Sequence, residues 1–306
     1  MLTTLFFGSA GFGLPVLEVL KARTRLLGVV STKEARQGRG LNFSPSPVKR
    51  AAVKLGLACW EPEDPNGEGF VGLVRELGPE LIVLAAYRFI LKPGLLGVPS
   101  KGGLNVHPSL LPKYRGPAPI ERAIMSGEET TGVSLFLMNE SIDSGDLVAQ
   151  ERVRLGPDET AGELASRLAQ VGAELLERTL PAVEQGFCSP IPQDPAQATY
   201  APKIDKRERL IDWSQDATRI HNLVRALAPT PGAYTFFRGD RLAILRTARL
   251  DADNLGPGRL IPGKRLLCGT GQGTVELSLV RPAGGRIMKG SEFSNGRRIS
   301  AGERLG

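Results

Sequence analysis

Two near-continuous apolar runs, residues 2–7 and Glu80-Leu-Ile-Val-Leu-Ala-Ala86, constrain the fold most. A strand apolar on both faces must be covered on both, as in a parallel sheet sandwiched by helices. The first run leads into Gly8-Ser-Ala-Gly11-Phe-Gly13, after which Leu14, Leu17 and Leu20 recur at helical spacing. Strand, glycine loop and helix open a doubly wound unit. The glycines fall as Gly-x-x-Gly-x-Gly, and the next strand, 26–30, ends in Ser31-Thr32 with no acid to hold a ribose hydroxyl. The loop therefore reads as close turns, not as a dinucleotide site.

Further elements follow from period and punctuation. Helices are predicted over 47–55, over 69–77 (Phe70, Leu73, Val74 and Leu77 inward) and over 120–125, with a short strand at 57–60. Residues 31–47 read as a long polar loop. Residues 131–138 and 146–154 read as an antiparallel pair. Thr160-Ala-Gly-Glu163 is a capping box, starting a helix to about 180 whose stripe is Leu164, Leu168, Val171, Leu175 and Leu176. Pro190, Pro192, Pro195 and Pro202 mark 189–207 as a linker between domains at 1–188 and 208–306. In the second domain Ser214 is predicted to cap a helix through Leu227, with His221 a packing residue beside its apolar stripe. Short alternating runs at 233–237, 241–247, 258–261, 265–268 and 274–280 predict a small β-barrel. Gly284-Gly285 reads as a hairpin turn and 300–306 as frayed.

The chemistry concentrates at Asn105-Val-His107. The strand leading there stops at Pro108, which cannot donate to a ladder. Spacing of i, i+2 puts the Asn105 amide and the His107 imidazole on one side of it. Asp143, in a glycine-containing loop after the apolar run 133–138, is within plausible reach. An imidazole, a carboxylate to orient it and an amide to hold an oxyanion suit acyl transfer. A lone histidine at a strand end is more often structural. Here it is one of two in the chain, and no Gly-x-Ser-x-Gly, Cys/His pair or metal-ligand cluster competes with it. Leu110, Leu111 and Pro112 are expected to pack down, and Lys113, Tyr114 and Arg115 to project outward, Arg115 ordering the loop.

Charge is uneven. Residues 1–205 hold 21 Lys+Arg against 23 Asp+Glu, while 206–306 hold 18 against 9, and 15 of those 18 are arginine. A basic C-terminal third on a near-neutral body fits a polyanionic partner, or merely an arginine-rich solvated surface. Cys59, Cys188 and Cys268 are scattered and odd in number, which fits a reducing cytoplasm better than a disulfide framework or zinc site. No apolar run approaches membrane-span length, and the first 19 residues do not read as a signal peptide.

His107-Pro-Ser-Leu-Leu-Pro-Lys-Tyr-Arg-Gly116, with Asn105 before it and Asp143-Ser-Gly-Asp146 after it, resembles the 10-formyltetrahydrofolate-dependent formyltransferases. The likeness runs nearly end to end, through Ser44-Pro-Ser-Pro-Val-Lys49, Ala198-Thr-Tyr-Ala-Pro-Lys-Ile204, Ile211-Asp-Trp213 and Pro231-Gly-Ala-Tyr-Thr235, and is strongest to the branch acting on methionyl-tRNA. The resemblance implies a Rossmann-like α/β domain with a mostly parallel sheet, followed by a small C-terminal OB-like β-barrel that binds tRNA. It places Asn105, His107 and Asp143 on the catalytic positions. It implies that Phe12, Tyr87, Arg88, Phe89, Ile90, Ser109, Leu110, Leu111 and Pro112 line the folate site, and that Arg36, Arg39 and Lys49 meet tRNA. It also implies 10-formyltetrahydrofolate as donor, methionyl-initiator tRNA as acceptor, no metal, no membrane and a monomer. Arg88 departs from the pattern, standing where the family usually has glycine, as do Gly11 and Ser141-Ile-Asp-Ser-Gly-Asp146. A sugar-nucleotide amine formyltransferase and a formyltetrahydrofolate hydrolase are the alternatives that share the trio.

Overall fold

A computed structural model describes residues 1–33, 35–37, 42–250 and 255–306, with backbone only for 35–37 and 42–43. In chain order the elements are β1 (Thr3–Gly8), α1 (Leu14–Arg23), β2 (Arg25–Val30), β3 (Ala35–Gln37), β4 (Asn42–Ser44), α2 (Pro47–Lys54), β5 (Cys59–Trp60), α3 (Glu68–Leu77), β6 (Leu81–Ala85), α4 (Pro93–Leu96), β7 (Gly103–His107), α5 (Pro119–Met125), β8 (Thr130–Leu137), β9 (Leu147–Arg154) and α6 (Ala161–Gln185). They continue with α7 (Ala217–Leu227), β10 (Ala233–Phe237), β11 (Asp240–Leu250), β12 (Leu260–Ile261), β13 (Leu267–Gly269), β14 (Thr274–Pro282), β15 (Met288–Lys289) and α8 (Gly290–Arg297). The chain divides into a first unit of residues 1–116, 130–154 and 165–201 and a second of 117–129, 155–164 and 202–306.

The first unit is Rossmann-like. Its sheet runs β5-β2-β1-β6-β7-β8-β9, parallel from β5 to β7 and antiparallel beyond. Every residue of β6 is buried, as its apolar run requires. Leu5, Phe7, Ile82 and Leu84 form one core with Val71 and Val74 of α3 and Leu95 of α4. Val71 and Val74 are the buried residues of α3, while Phe70, Leu73 and Leu77 are half-buried, so the inward face is centred between the two valines and not on Leu73. Gly172 of α6 lets that helix approach β7 and β8 closely; a Cβ there would lie 2.8 Å from Val106. The helix runs past Pro181 to Gln185, five residues beyond the expected end. The polar stretch 31–47 is not structureless: β3 and β4 pair as an antiparallel hairpin.

The chain leaves β1 toward β2 and β5 on one side, and toward β6 and β7 on the other. Between β1 and β6 the strand order therefore reverses. Their carboxyl ends flank the crevice where ligands bind in open α/β sheets.

The second unit is the small barrel. Its antiparallel path is β10-β11-β14-β13-β12, with β15 added to β14. Ile220, Val224 and Leu227 of α7 enter its core with Trp213, whose indole N–H donates to Thr235 at 2.9 Å. Asp216, not Ser214, caps α7: its carboxylate accepts the Arg219 N–H at 2.9 Å, while Ser214 closes a turn on Asp212. The tail is not frayed. Leu260 N–H donates to Glu303, Leu305 N–H to Gly258 and Gly306 N–H to Phe236. Residues 303–306 thus bond to both edge strands and close the barrel, with Leu305 buried. The Gly284-Gly285 turn joins β14 to β15 as expected.

Candidate active site

His107 ends β7, next to β6 and the reversal point. Residues alternate along β7, so Asn105 and His107 share a face, opposite Phe136 and Ser134 of β8. The His107 ring packs edge-on to Phe136, with centroids 6.4 Å apart, and is 5% exposed. Its Nε2 lies 3.1 Å from the Tyr114 carbonyl. A carbonyl only accepts, so Nε2 carries the hydrogen and the lone pair of the neutral ring sits on Nδ1. Nδ1 faces Asp143 Oδ2 at 3.7 Å. That is too long for a direct hydrogen bond, and it sets the carboxylate beside the ring's free lone pair. The trio predicted from spacing therefore has His107 and Asp143 side by side, with Asn105 on the same strand face.

Asn105 is half-buried, and its amide makes no hydrogen bond among the described residues. It is not sealed in the interior either, since the sealed and unpartnered polar atoms are those of Ser9, Glu61 and Tyr87. An uncommitted amide beside an imidazole is what a developing oxyanion needs.

Asp143 is held from two sides. Its Oδ2 accepts the Gly116 N–H at 2.8 Å, and its backbone is left-handed, with φ 48°. Gly116 has φ 116°, and a Cβ there would meet the Ala201 carbonyl at 2.9 Å, so only glycine fits. Arg115 does not project outward. It is 7% exposed, and its Nε and Nη2 donate to Gln193 Oε1 at 3.1 and 2.7 Å. Gln193 and Thr199, both close to this site, were not singled out by sequence. They lie in a proline-rich stretch with no period to mark them.

Around the reversal point, Phe12 sits half-buried in the turn after β1, and Tyr87, Arg88, Phe89 and Ile90 follow β6. The Tyr87 ring turns into the core, edge-on to Phe7 at 5.4 Å, and burial pushes its hydroxyl pKa up to about 12. The Arg88 guanidinium lies over the Phe89 ring at 4.6 Å, while Ile90 is exposed. Ser109 and Leu111 are buried, Ser109 donating to the Lys113 carbonyl; Leu110 and Pro112 are half-buried. At these positions a ligand would meet backbone and the rims of apolar side chains. Lys49 Nζ is 2.7 Å from Glu61 Oε2, so its charge is already compensated. The Arg36 side chain and all of Arg39 lie outside the described residues. Among those described, no group of three His, Cys, Asp or Glu is placed to hold a metal ion, and no helix is long and apolar enough to cross a membrane.

Residues 5–180 match the formyl transferase family, and residues 203–298 match the formyl transferase C-terminal domain. The chain is 42% identical to a methionyl-tRNA formyltransferase of Heliobacterium modesticaldum over 98% of this chain and 99% of the other. It is 38% identical to the methionyl-tRNA formyltransferase of Dictyoglomus thermophilum, with the same coverage. Among solved structures, the N-formyltransferase of Helicobacter canadensis with folinic acid and dTDP-3-aminofucose aligns with TM-score 0.70 at 16% identity, over 90% of this chain and 99% of that one. Aquifex aeolicus HypX with tetrahydrofolic acid aligns with TM-score 0.70 at 18% identity, over 99% of this chain and 48% of that one. Two matched domains and relatives alike over nearly their whole length place this chain in the formyl transferase family.

Proposed function

We propose that the protein transfers the formyl group of 10-formyltetrahydrofolate to the α-amino group of methionyl-initiator tRNA. The near full-length similarity to methionyl-tRNA formyltransferases carries this reading, and the juxtaposition of His107, Asp143 and an uncommitted Asn105 amide supports it.

The neutral α-amine, whose pKa in free form is about 7.7–8.0, attacks the formyl carbon on N10. A new C–N bond forms and the formyl oxygen becomes an oxyanion, to which the Asn105 amide donates. His107 takes the proton from the attacking nitrogen on Nδ1, its Nε2 being engaged by the Tyr114 carbonyl. Asp143 stabilises the imidazolium through space. The proton then passes to N10, the C–N10 bond breaks, and tetrahydrofolate and formyl-methionyl-tRNA leave. The donor would lie at the reversal point between the β1 and β6 loops, near Phe12 and residues 87–90. The arginine-rich barrel would hold the tRNA backbone, and so would Arg36, Arg39 and, on release from Glu61, Lys49.

The test is turnover of 10-formyltetrahydrofolate with charged initiator tRNA, with a sugar-nucleotide amine and with water, each across a salt series. Turnover with tRNA alone, falling steeply with salt as phosphate contacts require, is the expected result. Equal turnover with water or a sugar amine would overturn the reading.

A further inference from the structure

The groups that face the two nitrogens of His107 stand on strained backbone. The Tyr114 carbonyl, on Nε2, belongs to a residue with φ 60°; the Asp143 carboxylate, facing Nδ1, belongs to one with φ 48°. Left-handed conformations at non-glycine residues are costly and persist only where the surroundings over-determine them. One segment supplies that determination at both places. It is 191–201, the stretch whose prolines mark it as linker.

At Tyr114, the N–H donates to Thr199 Oγ1 at 2.9 Å. The next N–H, of Arg115, donates to the Thr199 carbonyl at 2.9 Å, and Ala201 N–H returns to the Arg115 carbonyl at 2.7 Å. At Asp143, Gln193 Nε2 donates to the carbonyl of Asp143 itself at 3.0 Å and to that of Gly145 at 2.7 Å. The orientation of this amide is fixed by chemistry. Arg115 can only donate and the two carbonyls can only accept, so Oε1 must face Arg115 and Nε2 must face the loop. Gln193 is 8% exposed, which strengthens these bonds and raises the cost of losing them. Ile191 exchanges both backbone hydrogen bonds with Leu147, seating the segment beside the Asp143 loop.

We propose that the 191–201 segment is part of the catalytic apparatus, with Gln193 and Thr199 as positioning residues that hold Asp143 and Tyr114 against the two nitrogens of His107. Gln193 acts on the carboxylate by fixing the left-handed backbone that presents it. Thr199 acts on the ring by fixing the peptide whose carbonyl takes the Nε2 hydrogen. This inference rests on the formyl-transfer reading.

Gln193→Glu tests it. Glutamate keeps, and charges, the acceptor for Arg115 but removes both hydrogens given to the Asp143 and Gly145 carbonyls. If Gln193 only keeps Arg115 buried, Gln193→Glu retains full kcat, whereas Gln193→Met loses stability. Under our proposal Gln193→Glu loses kcat on the order of tenfold or more at unchanged KM for donor and acceptor, measured well below its melting temperature, which also falls because the new carboxylate oxygen faces the Asp143 and Gly145 carbonyls. Thr199→Val, which removes one hydroxyl and keeps the shape, repeats the kcat-selective loss should the glutamate variant not fold. Wild-type kcat in Gln193→Glu, or in Thr199→Val where the glutamate variant does not fold, would overturn the proposal. The wild-type protein assayed alongside separates the two ideas, since its own failure to transfer formyl would fell the functional reading instead.

Discussion

Asp143 is tied to Gly116 by a hydrogen bond from backbone N–H to carboxylate Oδ2, 2.8 Å long and spanning 27 residues of chain. The bond holds the carboxylate beside His107. Asn at 143 would keep an oxygen to accept that N–H and would tolerate the left-handed backbone. It would lose only the charge. Asp143→Asn should therefore lower kcat by about 10²-fold or more, the usual scale for general acid–base assistance, with circular-dichroism melting unchanged. Near-normal kcat would remove Asp143 from the mechanism.

Asn105 has no partner in the folded protein among the described residues, so truncating it strands nothing. Asn105→Ala should fold as wild type and lose about 10²–10³ in kcat, the cost of one oxyanion donor. Steady-state kinetics beside a thermal melt check this. A melting loss with little kinetic effect would make Asn105 a structural residue.

His221 sets a pH dependence of stability in the second unit. Burial, its largest influence, pulls its pKa below the ordinary 6.5, aided by Arg225 and Arg249; the Pro157 carbonyl and Asp158 oppose. Its Nε2 lies 3.1 Å from that carbonyl and 3.3 Å from Asp158, and its Nδ1 lies 3.0 Å from Thr247 Oγ1. The unfolded chain binds the proton more readily, so stability rises with pH in this window. The contribution is complete above about 6.5 and is lost as pH falls toward the depressed folded value. Denaturant melts between pH 7.5 and 5 should follow this, and His221→Gln should flatten the slope. An unchanged slope in that variant would exclude His221 as its source.

Removing residues 303–306 takes three backbone bonds from the barrel edges, the buried Leu305 and the Arg238–Glu303 ion pair. The truncated protein should melt about 5 °C lower or more, with the loss appearing in protection of β10 and β12 by hydrogen exchange. Equal protection in the truncated chain would mean that the tail only decorates the sheet.

Much of this architecture was legible because it is local. The run 80–86 had to be a buried parallel strand, and Thr160 with Glu163 had to open a helix; both do, the capping bonds lying at 2.8 and 3.3 Å. The i, i+2 pair Asn105 and His107 needed only strand geometry. What stayed hidden depends on partners distant in sequence. Arg115 looked like a surface side chain because Gln193, its acceptor, lies 78 residues on. The ion pair of Lys49 stayed hidden because nothing in its own helix announces Glu61. Ser214 and Asp216 are equally good caps on paper, and the turn at Asp212 took the serine. The tail looked loose because Glu303-Arg-Leu-Gly306 has neither period nor length, and its partners at the two sheet edges lie far back in the chain.

Those edges give the barrel a history. β10 and β12 precede 303–306 in the chain, and until those residues are made the Gly258 and Phe236 carbonyls and the Leu260 N–H at the two edges lack their partners. Such rims are templates for other chains. A nascent chain in which 303–306 have not yet been made is thus more prone to stick to its neighbours. Slowed translation between β12 and residues 303–306 should lower soluble yield without altering a single contact in the finished enzyme.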